Sequence, residues 1–168
     1  MKPRIVLVTG ISGSAAQEAV AKVGQSHPDR VRVHNVGSMM NRIAREDRIQ
    51  YSASNILNAP RDALTALRTA SLERIHRAIN DDEEKYSGAS SSPLTTHDSP
   101  LTPLVFCHAT FLLKSGLREG MTLADLKHLG AEKLLTLIDA PQDIHDRLTG
   151  HPGDYLHLTI ESIVKWQE

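Results

Sequence analysis

A single cysteine, Cys107, stands among 168 residues, so no intrachain disulfide can form and the chain suits a reducing compartment. Aromatic residues make up only 4%, which leaves few rings for bases to stack on and argues against a single-stranded nucleic-acid binder. There is no dense Lys/Arg run, and the formal net charge is −1. Neither nucleic acid nor an acidic membrane is therefore expected as a partner. No stretch approaches the roughly 18–20 apolar residues of a membrane span. The five apolar-leaning residues after Met1-Lys2-Pro3-Arg4 are too few for a signal-peptide core, and a cytoplasmic location is expected. The nine histidines are scattered, without HxH or HExxH spacing, and no metal site is expected.

What is present reads as an α/β chain. Its length suits one domain spanning 1–168, and 40% hydrophobic with 23% charged residues is ordinary for a globular protein. Ile5-Val6-Leu7-Val8 is a continuous apolar run rich in β-branched residues, as expected of a strand buried on both faces. Gly10 to Ser14 is a glycine- and serine-rich turn. Ala15 to Val23 has helix-forming composition, with Ala19, Val20 and Val23 on one side and Gly24 as a stop.

Val31 to Val36 alternates as a second strand, and Ser38 can cap a helix from about Met39 to Asp47. Pro60 suits the first turn of a long helix to about Asn80, with Leu64, Leu67, Leu72, Ile75 and Ile79 on its apolar face. Leu104 to Cys107 is a third strand and Phe111 to Gly116 a short extended piece. Thr122 can cap a helix to about Leu129, and Lys133 to Asp139 is a fourth strand. Pro141 opens a helix through Leu148. The last segment, Leu156 to Glu168, is amphipathic, with Ile160, Ile163, Val164 and Trp166 expected inward. Alternating strands and helices predict a three-layer α/β/α domain around a mostly parallel sheet. Between them, 81–103 is rich in charge, serine and proline and is expected to be a mobile loop.

The glycine turn carries the chemistry. A phosphate-binding loop has the form G-x-x-x-x-G-K-[S/T] between a strand and a helix. Its backbone amides wrap phosphates, its lysine neutralises charge, and its hydroxyl holds magnesium. Gly10-Ile11-Ser12-Gly13-Ser14 meets the first half of that template, but Ala15-Ala16-Gln17 replaces the second. A lost charge-assisted contact is worth about 1.5–3 kcal/mol in binding, and removing preorganised charge costs roughly two or three orders of magnitude in rate. Taken alone, Gly10–Ser14 fits a tight strand-to-helix turn equally well. Cys107 is expected to be a buried inert thiol, since no adjacent base is evident. Asp139 is expected to cap the Pro141 helix. His108 ends a parallel strand, where such sheets bind ligands.

In order along the chain, these pieces resemble the P-loop nucleoside and nucleotide kinases, particularly archaeal-type adenylate kinases and related bacterial ATPases. Ile5–Ser14 resembles the family's opening V-x-V-T-G-x-x-G, and Asn35-Val36-Gly37-Ser38-Met39-Met40 its N-x-G-[ST]-x-M. Val105–Thr110 resembles the strand ending in D-T-H-[AS], and Val164–Glu168 the late I-x-x-W-x-E-E helix. The resemblance implies an adenylate kinase-like P-loop fold. It implies a nucleotide on Gly10, Ile11, Ser12, Gly13, Ser14, Ala15, Ala16 and Gln17, with Gly37, Ser38, Arg42, Arg68 and His108 on the acceptor side. Against that pattern, Cys107 replaces a magnesium-organising Asp, and Thr149–Asp154 lacks the lid arginines that follow the helix containing Arg147. With the loop lysine, three elements of phosphoryl transfer are missing.

The expectation is therefore a catalytically degenerate kinase fold with no catalytic residues, serving as a nucleotide-sensing, regulatory or scaffold subunit. By family analogy alone its setting is nucleotide metabolism or antiviral defence. It is expected to work with a protein partner or as a homo-oligomer. Its ligand would be ATP, another nucleotide or a nucleoside, with little role for magnesium. The alternative is an active nucleoside or nucleotide kinase, or a weak NTPase, with non-standard phosphate-binding residues.

Overall fold

A computed structural model describes residues 4–47, 59–88, 101–113, 116–150, 155 and 158–168. Its main sheet is built from β1 (Val6–Gly10), β2 (Val31–Asn35), β3 (Thr102–His108) and β6 (Lys133–Thr136), in the order β2-β3-β1-β6. All three pairings are parallel, with Leu7 opposite both Val105 and Leu134. Parallel pairing needs crossovers, and helices supply them: α1 (Ala16–Ser26), α2 (Val36–Glu46), α3 (Arg61–Gly88), α4 (Leu123–Leu129), α5 (Pro141–Thr149) and α6 (Ile160–Gln167). β4 (Thr110–Leu113) and β5 (Gly116–Glu119) form a separate antiparallel pair.

Alternation along β1 and β3 sends side chains to both faces. Leu7, Val105 and Cys107 pack with Val36, Leu72, Ile75, Ile79 and Leu129 from α2, α3 and α4. Val8 and Phe106 face the other way, onto Ala16 and Val20 of α1. The expected three-layer α/β/α architecture is thus present, with a mostly parallel sheet flanked by helices. A further cluster joins Ile144, Leu148, Ile163 and Trp166 of α5 and α6 to Ile11 in the glycine turn.

Several local expectations differ in the structure. Gly24 does not stop α1, which runs on to Ser26. A Cβ there would lie 2.6 Å from Val33 Cγ2, so the glycine lets the helix lie close on β2. Val23 is 41% exposed, because α1 turns its Ala16–Val20 side to the sheet. The cap of α2 is Asn35, whose Oδ1 accepts from the Ser38 amide at 2.9 Å; Ser38 lies inside the first turn. α3 continues eight residues past Asn80 to Gly88, and β3 starts at Thr102. The expected loop at 81–103 is therefore helical at its start and strand at its end, while 89–100 lies outside the described residues. Thr122 does cap α4, sharing a reciprocal capping box with Asp125. On α6, Ile163 and Trp166 are buried but Ile160 and Val164 are exposed.

No helix among the described residues is long and apolar enough to cross a membrane. Leu72 is 1% exposed at the centre of the larger core cluster, and Leu123 is 66% exposed. Leu72→Ala is expected to cost about 2–5 kcal/mol of unfolding free energy, whereas Leu123→Ala stays within about 0.5 kcal/mol; urea titrations of both variants measure the contrast.

Candidate functional site

The strand order places the site. From β1 the chain crosses to β2 on one side, and from β3 it crosses to β6 on the other. Such divergence opens a crevice beyond the carboxyl ends of the central strands, here β1 and β3. The glycine turn after β1 and His108–Gly120 after β3 border it, joined by the Ala109 amide on Gly10 O at 3.1 Å.

The turn is tightly closed. Ser14 donates to Ile11 O from both its amide, at 3.2 Å, and its hydroxyl, at 2.8 Å. Gly13 has φ +78°, and a Cβ on it would lie 2.6 Å from Leu148 Cγ; a side chain there would be strained twice over. Ala15 precedes α1 and lacks a side-chain cap. Its amide instead donates to Asp139 Oδ2 at 3.1 Å, from a residue lying just past the end of β6. Arg147 Nη1, on α5, donates to the same carboxylate oxygen and to Gly13 O, both at 2.7 Å.

Two further bonds fix Asp139. The Ala140 amide donates to its Oδ1 at 2.9 Å, and its own amide donates to Gln167 Oε1 on α6 at 3.2 Å. The Arg147 hydrogen bond, helped by the Ala15 and Ala140 amides and opposed by partial burial, holds its carboxyl below the usual carboxylate range. The expected capping of α5 is not what Asp139 does: the residue before α5 is Ala140, with no side-chain cap. Its partner is the start of α1. A helix N-terminus attracts anions through free amides and the helix dipole, and at Ala15 the chain supplies its own carboxylate.

Beside the turn lies a cleft of about 290 Å³, near the lower end of small-molecule pockets, which run to roughly 300–1,000 Å³. Ser12 and Gln17 form its edge on the loop side, and Gly37, Ser38 and Asn41 of α2 its opposite wall. Phe106, His108 and Phe111 give it an aromatic side, with His108 edge-on to each phenyl ring at 5.2 Å between centroids. Burial lowers the His108 pKa, with the Gly10 carbonyl opposing. Its enclosed Nδ1 makes no hydrogen bond among the described residues, and the lowered pKa favours the neutral ring.

Arg68 lines the same cleft from α3. Its Nε lies 2.9 Å from Asp125 Oδ2 with both side chains only 11% exposed, an ion pair by distance though not aligned as a hydrogen bond. The same Asp125 oxygen accepts from the Thr122 amide at 2.8 Å and from its hydroxyl at 2.7 Å. Cys107, largely buried, also borders the cleft, its thiol 3.3 Å from His108 O and 3.5 Å from Gly120 O. Burial pushes that thiol up to about 12, Arg68 opposing and Asp125 adding.

The structure gathers Ser12, Gln17, Gly37, Ser38, Arg68 and His108 around one cleft. Gly10, Ile11, Gly13, Ser14, Ala15 and Ala16 form the turn beside it; Ile11 and Ala16 are spent on packing. Arg42 is not in the cleft wall. It lies along α2, with Nε 3.9 Å from Glu46. Sequence reasoning did not anticipate Arg147 or the β4–β5 residues Phe111 and Arg118 as part of this region. Asp139 carried a signal, a carboxylate at a strand's carboxyl end, but its partner is 124 residues away. The stretch 151–154, where lid arginines were missed, lies outside the described residues.

The fold is similar to that of a solved kinase. A sugar kinase from Janibacter sp. HTCC2649, solved without ligand, superposes with a TM-score of 0.50 at 13% identity, covering 99% of this chain and 79% of that one. TT1252 from Thermus thermophilus matches at 0.47 and 16% identity over 98% of this chain and 78% of its own, too loosely to carry weight. No protein-family model and no curated protein matches the sequence.

A thiol held at about 12 is almost wholly protonated at neutral pH and shielded from attack. Cys107 is expected to resist iodoacetamide in the folded protein at about pH 8 and to react stoichiometrically in urea, as mass spectrometry would read. Asp139 makes a second prediction. Its folded pKa lies below its unfolded value, so its contribution is complete above that value and is lost as pH falls through the folded one. Stability is expected to decline below about pH 4, and Asp139→Asn to flatten that acid limb while lowering stability at neutral pH. Urea unfolding across this range provides the comparison; parallel wild-type and variant curves would rule out the clamp.

Proposed function

We propose that this kinase-fold chain is a regulatory or sensing subunit that binds a nucleoside or nucleotide in the crevice rather than transferring phosphate. The observation that carries the reading is the Ala15 amide, bonded to Asp139 Oδ2, with Arg147 holding the carboxylate in place. A phosphate seeking the start of α1 must displace that carboxylate or meet its negative charge. Ala15-Ala16-Gln17 offers neither the lysine nor the hydroxyl that would draw phosphate and magnesium there. Rapid transfer, which depends on positioned positive charge and metal, has little support from these residues.

The cleft beside the turn supports binding. Its aromatic wall suits the flat face of a base, and Asn41, Ser38 and Gln17 offer neutral hydrogen-bonding groups. Arg68 is already paired, which favours a ligand of low charge over a triphosphate. A subunit of this kind would report a nucleoside or nucleotide level to a partner, the setting being an assembly with an active enzyme of nucleotide metabolism.

Calorimetry with adenosine, AMP and ATP, with and without magnesium, tests this. Binding of the nucleoside or monophosphate independent of magnesium is expected. Asn41→Asp, which adds a negative charge to the wall, is expected to weaken AMP by about tenfold, as loss of one charge-sensitive contact does, and adenosine much less. Magnesium-dependent ATP turnover would overturn the regulatory reading, and absence of binding by any of the three would overturn the ligand.

A further inference from the structure

The chain's only tryptophan is Trp166, in the last turn of α6 and 6% exposed. An indole buried this far needs a partner for its N–H, because the group cannot reach water. Its Nε1 donates to Thr110 Oγ1 at 2.7 Å, across 56 residues of sequence. The ring already packs with Ile144, Leu148, Leu158 and Ile163 in the cluster that seats α5 and α6 on Ile11. Any large apolar ring would serve that packing. The hydrogen bond adds a fixed direction, and it ends on the element that carries part of the cleft's aromatic side.

Thr110 opens β4, one residue before Phe111. Successive residues of a strand point to opposite faces. Phe111 and its cross-strand partner Arg118 line the cleft, and Thr110 does not. Trp166 therefore holds β4 from the face turned away from the cleft. On the other face Phe111 lies edge-on to His108, so a displacement of β4 moves a ring of the wall. The next residue of α6, Gln167, accepts from the Asp139 amide at 3.2 Å, and Asp139 bonds Ala15 at the glycine turn. Two consecutive residues of α6 thus reach both borders of the crevice, one through β4 and one through the turn.

We propose that Trp166 is a positioning residue for the cleft: through Thr110 it sets the place of Phe111, and with it the width open to a planar ligand. The inference rests on the reading that the cleft takes a nucleoside or nucleotide. Through the same bond, a ring entering the cleft against Phe111 alters the surroundings of the indole.

Calorimetry with adenosine and the emission of Trp166 test the proposal together. Thr110→Val keeps the shape of the side chain and removes the acceptor, and is expected to weaken adenosine about tenfold. Thr110→Ser, which keeps the hydroxyl, is expected to bind as the wild type does. In a Phe111→Leu background, already weakened, adding Thr110→Val is expected to change affinity by less than about twofold, because the ring through which it acts is gone. Saturating adenosine is expected to shift the emission of the wild type. Wild-type binding that Thr110→Val leaves intact would overturn the positioning role alone, as would an equal loss in both backgrounds. An emission spectrum unmoved by saturating adenosine would do the same, and needs no variant to fold. Failure of the wild type to bind adenosine at all would overturn the nucleoside reading, and this inference with it.

Discussion

The Asp139 carboxylate is where four segments meet. It closes the start of α1 through Ala15, takes Arg147 from α5, and neighbours an amide bonded to Gln167 of α6; Arg147 then reaches on to Gly13 O. Magnitudes separate what this knot does from what holds it together. An ion pair this open to solvent contributes little, whereas burying a side chain such as Ile144 or Ile163 contributes roughly 1.5–3 kcal/mol each. Packing against Ile11 docks α5 and α6 on the turn; the carboxylate decides where the turn's backbone points. The glycine turn is thereby a fixed part of the core, with Leu148 filling the space that any side chain at position 13 would need.

The sheet was legible because its signal is local. Ile5–Val8 and Leu104–Cys107 are runs that read as strands buried on both faces, and both lie in the central strands. Lys133–Ile138 carries the same kind of signal and occupies the edge, its four strand residues all exposed. A run of apolar residues reports that a strand is apolar and not which neighbours it has. The same gap explains Gly24, whose role depends on Val33 in another element. It also explains Val164, exposed one residue from buried Ile163. Caps were legible where both partners lie within three residues, as at Thr122, and ambiguous where two capping residue types lie as close as Asn35 and Ser38.

The candidate site was legible as composition and illegible as geometry. Ala15-Ala16-Gln17 reports at once that lysine and hydroxyl are missing from the turn. Nothing in the same stretch reports that the Ala15 amide is already bonded, because its partner is contributed 124 residues later. Likewise the aromatic wall depends on β3 and β4 bringing Phe106, His108 and Phe111 together; their spacing alone does not place three rings on one cleft.

Arg68, in the cleft wall, and Arg147, at the turn beside it, are each neutralised from within the chain, by Asp125 and Asp139. An ion pair that is already formed attracts a further anion only weakly, because the incoming charge meets a dipole instead of a cation. The Asp125 pair is the more closed of the two, with both side chains 11% exposed. Breaking it to free Arg68 would strand a carboxylate that also caps α4, and an unpaired buried charge costs several kcal/mol. The positive charge of Arg68 and Arg147 is thus spent on the chain's own framework. The proposed ligand would meet mainly rings, amides and hydroxyls there, groups that read shape more than charge.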